Sequence, residues 1–227
     1  MTNMIKEISR EIITFAPENF LESVRLEFER INGFKAGNDK HRRMSAMADK
    51  VLDSIISRIR PVAVVSAFDG KALHNDTISA GGFDFSCDAF TLFDPESVRR
   101  IYAFMLTIGN FTLEFDDIMS AVFADMWGTV FCDAAVYALA DKLKTTAVIY
   151  PGFYGFSLSN IPKFSKLLDG ESIGITVREP GFTMMPVKSC CGLMFESIST
   201  AVLPESECKD CTANKYWCIM CKKSPKK

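Results

Sequence analysis

Ile101-Tyr102-Ala103-Phe104-Met105-Leu106-Thr107-Ile108-Gly109 is the stretch from which the rest of the chain is read. It is apolar from end to end and closes on a glycine, which predicts a strand. Downstream, Leu113 to Leu143 has helical patterning and contains no proline. It predicts one long helix, or two split near Gly128. Upstream, Val62 to Phe68 predicts a second strand, and Asp69-Gly70 is a turn signal that leaves a hairpin return open. Phe83 and Phe85 alternate with polar residues as in a further strand. Asp94-Pro95-Glu96 predicts a helix start, with Asp94 as N-cap and Pro95 in the first turn.

Toward the N-terminus, Ile5, Ile8 and Ile12 recur at helical spacing. Pro17 predicts the start of a second helix through Phe20, Leu21, Val24 and Phe28, ended by Gly33. Met44, Met47, Val51, Leu52, Ile55, Ile56 and Ile59 form the apolar stripe of a third, closed by Arg60-Pro61. Toward the C-terminus, Thr145 to Leu158 reads as a loop broken by Pro151, Gly152 and Gly155. Ile161 to Leu168 predicts a short helix. Ile173 to Val177 and Val187 to Phe195 predict two more strands. After Pro204 four cysteines and six lysines crowd a segment with few aliphatic residues. The expected division is residues 1–203 as one domain with a helical start, and 204–227 as a Cys-rich appendage.

The 227 residues suffice for a core that buries roughly 70% of the extended-chain surface. Lys plus Arg is 26 and Asp plus Glu is 28, a net charge of -2, which argues against a nucleic-acid binder acting through global charge. The 19 phenylalanines argue against a disordered chain. No run of 18 uninterrupted apolar residues occurs, and the best candidate, Ile118 to Phe131, is broken by Asp125, so no membrane partner is expected. Without a signal-peptide core near Lys6, Glu7, Arg10 and Glu11, the expected location is cytoplasmic, where eight cysteines would not form structural disulfides.

The strongest chemical signal from spacing is in the appendage. Cys208-x2-Cys211 and Cys218-x2-Cys221 are two knuckles six residues apart. Four thiolates so arranged can surround one zinc ion or an iron–sulfur cluster, and the metal would supply folding free energy to a tail with little apolar material. The spacing does not separate zinc from iron–sulfur, and a flexible tail with free thiols is the plainer alternative. Cys190-Cys191 reads as one core and one surface thiol on a strand. Cys87 and Cys132 read as packing residues. His41 and His74 are the only histidines, and neither joins a nucleophilic arrangement. Asp116-Asp117 reads as helix N-terminal charge. Gly81-Gly82 is a lone pair, not a phosphate-binding loop.

Three places together resemble the reactivation (activation) domain of cobalamin-dependent methionine synthase and its stand-alone bacterial relatives. The first is Ile101 to Gly109 followed by Phe131 to Leu143, where Ala138-Leu139-Ala140-Asp141-Lys142-Leu143 is similar to the family's long helix. The second is Pro151-Gly152-Phe153-Tyr154-Gly155-Phe156-Ser157-Leu158, similar to its Pro-Gly-Tyr loop. The third is Ile173-Gly174-Ile175-Thr176 with Met184-Met185-Pro186-Val187-Lys188-Ser189 and Gly192. The order and separation of the pieces carry the resemblance, over about residues 45 to 195.

The resemblance implies an α+β fold, a curved and mainly antiparallel sheet flanked by helices. It implies a surface that caps cobalamin held by a corrinoid-binding partner, binds S-adenosylmethionine, and supports reductive reactivation and methylation of cobalt. The residues it places at the cofactor are Gly152, Phe153, Tyr154, Tyr137, Met185 and Ser189. The chain departs from the family at three of the positions concerned: Val148 stands for an arginine, Phe153 for a tyrosine and Tyr137 for a glutamate. Retained S-adenosylmethionine binding then needs substitutes, for which Arg178, Glu179 and Lys188 are the nearby charges. Two other expectations remain beside a corrinoid activator: a non-catalytic docking module with a structural zinc knuckle, and an S-adenosylmethionine-dependent methyltransferase of another substrate. The absence of a Gly-rich nucleotide turn weighs against the last.

Overall fold

The computed structural model describes residues 5–35, 37–111 and 115–199. Its centre is an antiparallel five-stranded sheet. The strands are β1 (Ser9–Thr14), β2 (Val62–Asp69), β6 (Val98–Thr107), β10 (Ser189–Ser197) and β7 (Ala147–Ile149), in that order across the sheet. Between β2 and β6 lie three short strands that pair with one another: β3 (Leu73–His74), β4 (Thr77–Ala80) and β5 (Phe83–Ser86). A two-stranded hairpin joins β8 (Thr176–Arg178) to β9 (Thr183–Met185). The helices are α1 (Leu21–Asn32), α2 (Asp39–Ile55), α3 (Ile118–Lys142) and α4 (Ile161–Leu168).

The unbroken apolar run of β6 has a simple cause: both faces of the sheet are covered. Tyr102, Phe104 and Leu106 point into a core with α1, α2 and α3. Ile101, Ala103 and Met105 point the other way, into a core with β3, β4, β5 and α4. β10 divides in the same manner, Met194 on the first side and Leu193 and Phe195 on the second. A strand buried on both faces loses the polar alternation of a half-exposed one.

The expected α+β class, with an antiparallel sheet flanked by helices, is what the structure has. The second and third helices stand where their apolar stripes put them. Gly33 follows α1 in the left-handed region, and Asn38 caps α2 by accepting from the N–H groups of Lys40 and His41. α3 runs unbroken through Gly128. A Cβ there would come within 2.3 Å of the Phe111 ring, so this glycine admits a close neighbour and does not break the helix. Asp117 caps α3 through Ser120, accepting from its N–H at 2.8 Å and its Oγ at 2.7 Å, in line with the helix-end reading of Asp116-Asp117.

Other expectations are corrected. The Ile5, Ile8, Ile12 spacing does not make a helix, because the segment pairs with β2 as an edge strand. Ile13 is the residue it buries, while Ile8 and Ile12 stay exposed. Asp94-Pro95-Glu96 makes a turn into β6: the Asp94 carboxylate accepts from the Glu96 N–H and its carbonyl from the Ser97 N–H. The chain after Asp69 does not return along β2 but builds the separate β3–β4–β5 sheet. β7 lies inside the expected loop; at three residues it is too short to show periodicity. Ile173 belongs to a 3-10 turn, and only Thr176 and Val177 of the expected strand lie in β8, which runs one residue further to Arg178. Cys190 keeps only part of its surface exposed: it packs against the edge of the first core, while Cys191 is buried in the second, again because both faces of β10 are covered.

Among the described residues one helix, α3, is long and apolar enough to cross a membrane by length and composition. More than half of its most apolar window is buried inside the fold, the mark of a core helix.

Candidate functional site

α3 presents Asp125, Thr129, Asp133 and Tyr137 one turn apart along one flank. Two grooves open along this flank. The one beside its C-terminal half measures about 790 Å³ and lies between α1 and α3. Its polar wall holds Glu27, Arg30, Asp133, Tyr137 and Asp141. The other, about 740 Å³, lies beside the N-terminal half of α3. It is lined by Phe111, Phe115, Asp125, Thr176, Met185 and Lys188, among others. Lys188, immediately before β10, bridges to the helix, donating to Asp125 at 2.8 Å and Thr129 at 2.9 Å.

The α1–α3 groove has the more unusual electrostatics. Burial pushes the Asp133 carboxyl above its ordinary value, and the Glu27 carboxylate adds to the effect; Lys188 offsets part of it. Arg30 is held by Glu27, donating through Nε at 2.6 Å. Tyr150, just beyond β7, is largely enclosed. Burial raises its hydroxyl pKa, with further contributions from Cys190, Asp133 and Tyr137. Three carboxylates, one guanidinium and an exposed phenol thus line a groove with apolar flanks at Phe20, Val24 and Ala134. Such a wall suits a ligand with a cationic centre and an aromatic or aliphatic body.

The expected site residues divide between these places. Tyr137 is on the α1–α3 groove and 76% exposed, so its ring is available to a ligand. Gly152, Phe153 and Tyr154 form the loop after β7. Gly152 has φ +95°, a backbone region that side chains strain, and its N–H donates to the Phe156 carbonyl at 2.7 Å. Phe153 is half exposed, and its ring meets Tyr150 edge-on at 6.0 Å, which connects the loop to the surroundings of Asp133 and Tyr137. Met185 lines the other groove. Ser189 donates its hydroxyl proton to the Pro186 carbonyl at 2.6 Å, and its oxygen lies 2.9 Å from the Thr107 hydroxyl, from which it can accept.

Of the charges named as substitutes, Lys188 is committed to Asp125 and Thr129, and neither Arg178 nor Glu179 lines the α1–α3 groove. Val148 packs half-buried against the first core. Sequence reasoning missed Arg30, Glu27 and Asp133. Asp133 was legible as a lone carboxylate in the apolar stretch Val130 to Val136, but only the packing of α1 on α3 adds the first two. Among the described residues no three His, Cys, Asp or Glu side chains gather as a metal site. Cys208, Cys211, Cys218 and Cys221 lie outside the described residues.

The fold is that of the methionine synthase activation domain. In the solved structures the chain is similar to the MetH reactivation domain bound to AdoHcy, with TM-score 0.61 and 13% sequence identity, covering 90% of this chain and 82% of that one. No family model matches the sequence, and no curated protein matches it.

Proposed function

We propose that the protein docks on a corrinoid-binding partner and supports reductive reactivation or methylation of its cobalamin. The observation that supports this reading most is the likeness of fold over 90% of the chain to a reactivation domain whose structure holds AdoHcy. In this reading the loop Gly152, Phe153 and Tyr154, with Tyr137 on α3 and with Met185 and Ser189 on the β9–β10 side, faces the cofactor. Cobalamin, when present on the partner, supplies the methyl-accepting cobalt. The residues of this chain bind and orient around it.

An S-adenosyl ligand would use the α1–α3 groove. The residues there fit it in kind: Arg30 for a carboxylate, Asp133 and Asp141 for a sulfonium, and Tyr137 for stacking. The cysteine appendage belongs to the same reading as a four-thiolate site. An iron–sulfur cluster would pass single electrons, whereas zinc would be structural only. The setting proposed is the cytoplasm. A docking module without methyl-donor binding is the second reading. It is favoured by the commitment of Lys188 to Asp125 and by Val148 in the place of the family's arginine. The test is complex formation between the full chain and a cobalamin-loaded corrinoid-binding domain of methionine synthase, followed by sedimentation. Co-sedimentation supports the proposal, and independent sedimentation at high concentration of both contradicts it.

A further inference from the structure

Cys132, on the sheet-facing side of α3, and Cys190, on β10, meet across the first core with their sulfurs 4.0 Å apart. Both are unpaired thiols. Neither belongs to the appendage, and none of the reading above uses them. A disulfide has an S–S bond of about 2.05 Å, so the two sulfurs need to close by about 2 Å. Cys191 is directed to the opposite face of the sheet and cannot compete for Cys132. The Cys87 thiol is engaged with the Tyr154 carbonyl at 3.1 Å.

We infer that Cys132 and Cys190 form a redox-active dithiol that closes to a disulfide under peroxide, stapling α3 to the central sheet beside the α1–α3 groove. One thiolate attacks hydrogen peroxide, giving a sulfenic acid and water. The second thiol then displaces the sulfenic oxygen as a second water. Two S–H bonds are lost and one S–S bond forms, while two electrons pass from the sulfurs to the O–O bond. Cys190 is the entry point, since it is partly exposed while Cys132 is nearly covered. The hydrogen bond between the two thiols, together with burial, raises the Cys190 pKa well above the ordinary thiol value. The first step is therefore slow at neutral pH and accelerates as pH rises. The link would fix the helix turn that carries Asp133, so oxidation state is communicated directly to the wall of the groove.

The test uses the full chain, reduced and then treated with hydrogen peroxide, alkylated under denaturing conditions and digested without reductant. The expected product is a joined pair of peptides containing Cys132 and Cys190, lighter by two hydrogens, with fragmentation placing the link at Cys190 and not Cys191. The oxidised protein should also melt at a higher temperature than the reduced one, and the Cys132→Ser variant should lose both the joined peptide and the rise. Recovery of Cys132 as an alkylated thiol, or as a sulfinic acid with no joined peptide, overturns the inference, whatever links form among the appendage cysteines.

Discussion

Phe28 of α1 lies face to face on Trp127 of α3, their ring centroids 3.6 Å apart and the planes 13° from parallel. Trp127 also donates from Nε1 to the Ala48 carbonyl of α2 at 2.9 Å, so one side chain ties all three helices of the first core together. Everything proposed for the α1–α3 groove depends on this junction, because it sets the spacing of the two helices that line it.

Replacing Trp127 by alanine should therefore cost about 3–5 kcal/mol of stability, the range for truncating a large buried aromatic. Trp127→Phe should cost less, since it retains a ring for Phe28 and gives up a second hydrogen bond on the Ala48 carbonyl, worth about 0.5–1.5 kcal/mol, while that carbonyl keeps its place in the α2 helical ladder. Urea denaturation of the three proteins orders them; a neutral Trp127→Ala would place the junction outside the stable core.

Much of this architecture was legible in the sequence. The stripes through Phe20, Val24 and Phe28, and through Val51, Leu52 and Ile55, are wide enough to fix both helices. The run Ile101 to Ile108 could only be a strand or a buried helix, and its length decided for the strand. The failures have physical causes. Ile8 and Ile12 mimic a helical stripe, yet the partner strand overrides local spacing, and that partner is more than 50 residues away. Asp94-Pro95 has the chemistry of a cap, but the same Asx interaction serves a turn equally well. Of the candidate site, Tyr137 and the Gly152 loop could be named from sequence, whereas Arg30 and Glu27 could not, because tertiary packing alone brings α1 to α3.

The Asp133 carboxyl gives a pH signature. Its folded pKa is raised above the ordinary 3.8 by burial and by Glu27. Below pH 3.8 it is protonated in both states and contributes nothing. As pH rises through the window between 3.8 and the raised folded value, the unfolded chain releases its proton first, and stability falls. Asp133→Asn should thus be more stable than the parent at neutral pH, with the gain vanishing below 3.8. Melting curves from about pH 3 to about pH 8 would show it; an equal difference at every pH would mean that the carboxyl's charge is not the cause.

Tyr137→Glu combined with Phe153→Tyr restores two of the side chains found in the resembled family. A charge-assisted hydrogen bond is worth about 1.5–3 kcal/mol, against about 0.5–1.5 kcal/mol for the ring stacking given up at Tyr137, so the double variant should bind S-adenosylhomocysteine about tenfold more tightly than the parent. Titration calorimetry on both proteins measures the ratio. A ratio near unity would mean that these two positions do not face the ligand.

For the appendage, protein purified without oxygen should contain either iron with sulfide or one equivalent of zinc, and Cys208→Ser with Cys211→Ser should abolish it. The melting temperature of the main fold should be unchanged, since among the described residues no metal ligand set supports it. Metal retained by the variant would relocate the site.

The central claim, action on a corrinoid partner, is tested most directly by adding the protein to a methionine synthase corrinoid-binding domain loaded with cob(II)alamin and recording the electron paramagnetic resonance spectrum of the cobalt. The account predicts a changed spectrum that saturates at equimolar protein, reporting that a second surface has come over the cofactor. A spectrum identical to that of the corrinoid domain alone, at protein in large excess, would contradict it.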